Sequence, residues 1–176
     1  MIKKILLGLV GLLIVLAVVS QLLPDTVHVE RSATINAPPE AVFPHVNNPK
    51  NTEKWSPWLE RDRNAKLKYE GPPAGVGAKL TWRSDVPEVG AGTLEITESK
   101  ANELVGVALA FEGHGEATAY YQLSAVNGGT EIVWGFNTEL GSNPVVRYMG
   151  LMFDSMIGAD YERGLANLKK LVESGG

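Results

Sequence analysis

Residues 116–140 read EATAYYQLSAVNGGTEIVWGFNTEL, and this stretch decides the fold. On either side of Asn127-Gly128-Gly129, apolar and polar residues alternate, which is typical of strands with one buried face. An Asn-Gly pair between two such runs favours a tight hairpin. The stretch therefore predicts two long antiparallel strands, at residues 116–126 and 130–140.

Upstream of this hairpin, the chain predicts further strands separated by short, glycine-rich breaks. Short breaks favour antiparallel pairing of consecutive strands in a meander. A half-buried strand opens the series, and two short helices follow it, the second ended by Trp55-Ser56-Pro57-Trp58. The predicted strands lie at residues 27–35, 66–70, 78–84, 92–99 and 104–112, and the helices at 38–46 and 50–54.

The side chains of the meander sort into one apolar and one polar face, because successive residues of a strand point to opposite sides. The polar face suits solvent, whereas the apolar face needs a cover. The members of the apolar face are Leu80, Trp82, Leu94, Ile96, Val105, Val107, Leu109, Phe111, Ala117, Ala119, Tyr121, Leu123, Ile132, Trp134 and Phe136.

The cover is the C-terminal segment, which Asn143-Pro144 opens and which runs to Glu173. At 100° per residue an apolar side emerges, and Gly150 and Gly158 are expected to weaken the helix. That side carries Met149, Phe153, Met156, Ile157, Leu168 and Leu171. These features predict an α+β protein in which a curved antiparallel sheet wraps a long C-terminal helix.

Five stretches of this sequence resemble the START-like helix-grip (SRPBCC) superfamily. More narrowly, they resemble its bacterial polyketide cyclase/dehydrase and lipid-transport group. The stretches are VERSATINAPPEAVFPHVNN (29–48), WSPW (55–58), GPPAGVGAKLTW (71–82), GTEIVWGF (129–136) and GLANLKKLVE (164–173). The resemblance covers residues 27–173 and implies a helix-grip fold with an elongated cavity between sheet and helix. It supplies no set of catalytic residues.

The implied cavity would be lined by inward-facing residues of the sheet and the long helix. Asp160 admits two interpretations, a desolvated acid on the apolar side or the N-cap of a helix that restarts after Gly158-Ala159, and the cap is favoured. The candidates for the ligand cavity are Trp82, Leu94, Val107, Leu109, Phe111, Tyr121, Trp134, Phe136, Met149, Phe153, Met156 and Asp160.

Residues 5–23 read ILLGLVGLLIVLAVVSQLL and carry no charge, with Lys3 and Lys4 in front. As a helix they would reach roughly 28 Å, close to the thickness of a bilayer core. A single-pass anchor in the cytoplasmic membrane is favoured, with the N-terminus inside and the domain outside. A cleaved signal peptide, giving a secreted or periplasmic protein, is the alternative, although Val18-Val19-Ser20 is a poor cleavage site. The predicted division is therefore residues 1–26, anchor and connector, and residues 27–176, the domain.

Composition excludes several classes of function. The chain has no cysteine, so it has no disulfide, thiolate metal site or cysteine nucleophile. The net charge of −4 and the scattered basic residues argue against nucleic-acid binding. His28, His45 and His114 lack metal-ligand spacing, with His114 expected in a glycine-rich hairpin tip, and neither metal nor cofactor is expected. No P-loop, H-E-x-x-H or G-x-S-x-G motif is present, so the catalytic residues are unknown.

Three functions remain open. The favoured one is a membrane-anchored binding module that holds a lipid-like or other apolar small molecule. The second is a cyclase or dehydratase acting on a polyketide-like or aromatic substrate, which would need ionisable groups converging in the cavity. The third is a structural or regulatory domain whose cavity is filled by its own side chains.

Overall fold

Seven antiparallel strands form one curved sheet in this computed structural model, which describes residues 2–113 and 115–175. The order across the sheet is β1-β7-β6-β5-β4-β3-β2, so β2 to β7 form the predicted meander and β1 joins it beside β7. The prediction of the strands is confirmed to within a residue or two at each end. The strands are β1 (Thr26–Ile35), β2 (Lys66–Glu70), β3 (Lys79–Arg83), β4 (Ala91–Lys100), β5 (Leu104–Phe111), β6 (Gly115–Val126) and β7 (Gly129–Glu139).

The helices are α1 (Ile2–Ser20), α2 (Pro39–Val46), α3 (Pro57–Arg61) and α4 (Pro144–Glu173), and a 3₁₀ turn lies at Asn51–Lys54. The second short helix, here the 3₁₀ turn, ends before Trp55 as predicted, and Pro57 begins a further helix, α3, that sequence reasoning missed. The missing N–H of Pro57 costs nothing at the first helical position. The expected hairpin tip at His114 lies outside the described residues.

Helix α4 is unbroken over 30 residues, and Asn143 caps it by accepting a hydrogen bond from the Val145 N–H at 3.0 Å. The prediction of a restart after Gly158, with Asp160 as its cap, is therefore wrong. Gly158 is buried, and a Cβ there would lie 2.1 Å from Nη2 of Arg31. That glycine makes room for a tertiary contact, which sequence alone does not reveal.

Helix α4 runs along β1 in the same direction as the strand. Arg31 of β1 donates to Asp154 at 3.0 Å and to Glu162 at 2.8 Å, and further on Lys169 donates to the Thr34 carbonyl at 2.7 Å. The first turns of α4 therefore lie at the end of the sheet where β1 begins, which we call the proximal end.

The register places other strand ends at the proximal end as well. Thr26 of β1 pairs with Glu139 of β7, and Phe111 of β5 pairs with Gly115 of β6. Gly92 of β4 lies opposite both Phe111 and Trp82. Trp82, Phe111 and the start of β1 thus share one end of the sheet.

Helix α1 projects from this same end, and every residue of it that the structure describes is exposed except Ser20. Arg147 of α4 binds the chain where α1 ends. Its Nη1 donates to the carbonyls of Ser20 at 3.3 Å, Gln21 at 3.2 Å and Leu23 at 3.2 Å, and its Nε donates to that of Gly141 at 2.7 Å. We call this contact the Arg147 clamp.

Within the described residues, α1 is the one helix long and apolar enough to span a membrane. A signal sequence near the N-terminus meets the same criterion of length and composition. The coarse prediction of an N-terminal apolar helix is confirmed.

Candidate functional site

Aromatic side chains fill one part of the space between the sheet and α4. Trp134 of β7 stacks on Tyr161 of α4 with centroids 3.8 Å apart, and Trp55 meets Trp134 edge-on at 5.3 Å. The aromatic cluster consists of Trp55, Trp58, Tyr121, Trp134 and Tyr161. Two predicted cavity residues, Tyr121 and Trp134, belong to it, so this half of the implied cavity is occupied by side chains.

The polar atoms of the aromatic cluster are neutral donors. Burial raises the pKa of the Tyr121 phenol. Burial, and secondarily Tyr121, raises that of Tyr161. Trp134 Nε1 is buried and has no hydrogen-bond partner among the described residues. Because the Trp134 and Tyr161 planes differ by only 13°, the in-plane indole N–H does not point at the Tyr161 hydroxyl. The cluster can therefore donate a hydrogen bond but offers no general base.

The other half of the concave face is open. Trp82, Leu94, Leu109 and Phe111 are only half-buried there, over the buried Val107 and Phe136. We call these six residues the apolar groove. All six are predicted cavity residues, and period-two parity brings them onto one face.

The wall of the apolar groove at the proximal end is built by Trp82. Its ring meets Phe111 edge-on at 5.9 Å, and its Nε1 donates to the Val89 carbonyl at 3.1 Å. A Cβ on Gly92 would lie 2.4 Å from the Ala110 carbonyl oxygen and 2.6 Å from the Trp82 ring, so glycine leaves room for the indole beside β4. The orientation of Trp82 is therefore set from three sides.

The predicted cavity residues of α4 lie on one side of the helix. Asp154 and Glu162 face Arg31 of the edge strand β1. At 100° per residue, Met149, Phe153, Met156 and Asp160 lie on another side. Asp160 contacts Arg61 of α3, so that side faces away from β1. Phe153 is half-buried, whereas Met149 and Met156 are more than half exposed.

Asp160 forms a two-pronged ion pair with Arg61. Nη1 of Arg61 lies 2.9 Å from one carboxylate oxygen, and Nη2 contacts the other. The hydrogen bonds that Arg61 donates to Asp160 hold the pKa of Arg61 above its usual value. Asp160 is therefore neither a cap nor an isolated buried acid. Nothing in the sequence near Arg61 signals this partner, which is 99 positions away.

The pair supports a prediction. Asp160→Asn is expected to lower the free energy of unfolding by about 1–2 kcal/mol, because charged hydrogen bonds become neutral ones. The control is Asp154→Asn on the same helix, whose carboxylate is more exposed and therefore screened, so a clearly smaller loss is expected there. Denaturant melts of both variants measure the difference. Equal losses would contradict the importance of the Arg61 pair.

A separate pocket of ≈ 490 Å³ opens between residues 53–67 and the last turns of α4. Sequence reasoning missed it, because its two walls are at least 100 positions apart in the chain. None of the twelve predicted cavity residues lines it. Its lining is Glu53, Lys54, Trp55, Ser56, Leu59, Glu60, Asp62, Arg63, Ala65, Leu67, Asn167, Lys170, Leu171 and Ser174.

The described residues contain no group of three or more potential metal ligands. His45, in α2, has a buried Nδ1 that lacks a hydrogen-bond partner within the same described part. Burial, and secondarily Lys54, lowers the pKa of His45. The imidazole is thus held in its neutral form.

A curved sheet that grips a long C-terminal helix defines the helix-grip class of ligand-binding proteins. The sequence profile of the polyketide cyclase/dehydrase and lipid transport family matches residues 26–173, and the chain belongs to that family. The resemblance seen in the sequence is confirmed. Among curated proteins, none matches the chain significantly.

Solved structures share the fold. A protein of unknown function from Staphylococcus aureus is similar with a TM-score of 0.65 and 12% identity, over 85% of this chain and 95% of that one. Protein CV1439 from Chromobacterium violaceum is similar with a TM-score of 0.59 and 20% identity, over 85% and 99%. DynU16, from the dynemicin biosynthetic locus, is similar with a TM-score of 0.57 and 17% identity, over 86% of this chain and 48% of that one.

Proposed function

We propose that this chain is a membrane-anchored binding protein that holds a lipid-like or other apolar small molecule in the apolar groove. The observation that carries the proposal is the half-buried apolar face of Trp82, Leu94, Leu109 and Phe111. Apolar walls with a few fixed polar groups are the usual lining of a small-molecule site. The unpartnered Trp134 N–H offers one such polar group deeper in.

The position of the apolar groove supports a lipid-like ligand. Trp82 and Phe111 lie at the proximal end of the sheet, from which α1 projects. If α1 spans the cytoplasmic membrane, the proximal end of the groove lies near the bilayer. An apolar molecule would then pass between bilayer and groove with little exposure to water. Such exposure is the unfavourable part of its transfer.

A cyclase or dehydratase is the second candidate, which the family description and the likeness to a protein of the dynemicin biosynthetic locus favour. Acid–base catalysis needs a group whose pKa lies near the working pH. The buried phenols of Tyr121 and Tyr161 have raised pKa values, and Asp160 is held by Arg61. The geometry therefore favours binding.

Native mass spectrometry of the full chain extracted from membranes in detergent tests the proposal. The expected result is intact chain, α1 included, carrying one apolar mass. Leu94→Trp should release that mass by filling the apolar groove. The control Thr118→Trp adds the same bulk on the exposed opposite face of β6 and should retain it.

A folded wild-type chain with no bound mass would contradict ligand binding and favour the domain filled by its own side chains. A chain that lacks residues 1–20 would instead identify α1 as a cleaved signal peptide. If Leu94→Trp retains the bound mass, the ligand does not bind in the apolar groove. The ≈ 490 Å³ pocket is then the next candidate site.

A further inference from the structure

The first half of α4 carries an exposed apolar stripe. Its members are Val145 (66% exposed), Met149 (54%), Met152 (59%) and Met156 (59%). Their spacing of four, three and four residues places them on one side of the helix. Exposed apolar groups in such a row mark a surface that another apolar body covers.

The exposed stripe adjoins the end of α1. Tyr148, the neighbour of Met149, donates its hydroxyl hydrogen to the Leu16 carbonyl at 3.0 Å. Leu16 lies about 6 Å along the axis before Ser20, the last residue of α1. The first turns of α4 therefore lie beside the last turn of the apolar helix, at the depth where tyrosine is enriched in membrane proteins.

Charge does not oppose contact between this segment and lipid. From residue 144 to residue 156 the charged side chains are Arg147 and Asp154. Arg147 is only 9% exposed and turns its guanidinium to the backbone carbonyls of the clamp. Asp154 faces Arg31, on the β1 side of α4 and away from the exposed stripe.

We propose that the exposed stripe lies in the interfacial layer of the same membrane that α1 spans, between headgroups and the upper acyl chains. The Arg147 clamp sets the angle at which α4 meets the lipid. Flexible methionine side chains suit a fluid surface, because they adapt their shape to it. The inference rests on the proposed anchor, and it places the first half of α4 at the bilayer surface.

Site-directed fluorescence quenching tests the inference on the full chain in phosphatidylcholine vesicles. The chain has no cysteine, so each single cysteine variant carries a label at one position. Bimane is attached at Met152→Cys, at Leu9→Cys in α1 and at Ala166→Cys, an exposed position in the second half of α4. The quenchers are phospholipids with a nitroxide on an upper acyl carbon or near the chain end.

The label at position 152 should lose roughly half its fluorescence or more with the shallow quencher, as expected for a helix face 5–10 Å into the interface. The label at 166 should be unaffected, and that at 9 should respond to the deep quencher. Quenching at position 9 but not at position 152 would overturn the lipid contact of the exposed stripe but would still support the membrane anchor. No quenching at either position would overturn both. A blue shift at 152 without quenching would assign the stripe to a second copy of the chain and overturn the lipid contact.

Discussion

Leu168→Asp is expected to lower the free energy of unfolding by at least about 3 kcal/mol, and more than any other single change considered. Leu168 is fully buried between α4 and the sheet. Truncating a buried leucine alone costs about 2–5 kcal/mol, and the aspartate adds an unpaired charge that the apolar surroundings cannot solvate. Urea melts followed by tryptophan fluorescence measure the loss.

Ala166→Asp is the matched control, because it introduces the same charge on an exposed position of the same helix. A change within about 0.5 kcal/mol is expected there, as for most surface substitutions. Similar midpoints for the two variants would show that the second half of α4 does not pack on the sheet.

Trp134→Ala is expected to cost about 3–5 kcal/mol, since it removes the centre of the aromatic cluster. Trp134 contacts Trp55, Trp58, Tyr121 and Tyr161, and its ring lies so close to Gly164 that a Cβ there would be 2.7 Å away. Rigid neighbours on every side limit collapse, so a cavity should remain.

Added indole should fill that cavity and raise the melting temperature of Trp134→Ala, because a ligand that binds only the folded state stabilises it. Trp134→Phe, which keeps most of the ring volume, should gain little from indole. Thermal melts with and without indole measure both effects. A loss below about 1 kcal/mol, or equal responses of the two variants, would contradict the tight packing of the cluster.

Most of the fold could be predicted from the sequence because its signals are local. Period-two alternation and the Asn127-Gly128 turn locate strands without knowledge of their partners. The continuity of α4 could not be predicted in this way. Gly158 indicates a helix break when only its neighbours are considered, whereas its role is to admit Arg31, 127 positions earlier in the chain.

The candidate site could be predicted only in part. Strand parity identifies the apolar face, yet parity cannot tell which half of that face α4 covers. Tyr121 and Trp134 are therefore in the filled half, and Leu94 and Leu109 are in the open half. The helical period likewise cannot distinguish a buried apolar side from an exposed one, as at Met149. The Arg61–Asp160 pair depends on where α3 meets α4, which is long-range information.

The Arg147 clamp limits how far the domain can move relative to α1. Three carbonyls of residues 20–23 are bound to α4, so the segment between α1 and β1 has little freedom to act as a flexible tether. With α1 as a membrane anchor, a domain held this way would remain within a few nanometres of its own bilayer and could not swing across to another membrane. If α1 is the anchor, the protein binds its ligand at one membrane. Any partner that takes the ligand onward must then come to that membrane.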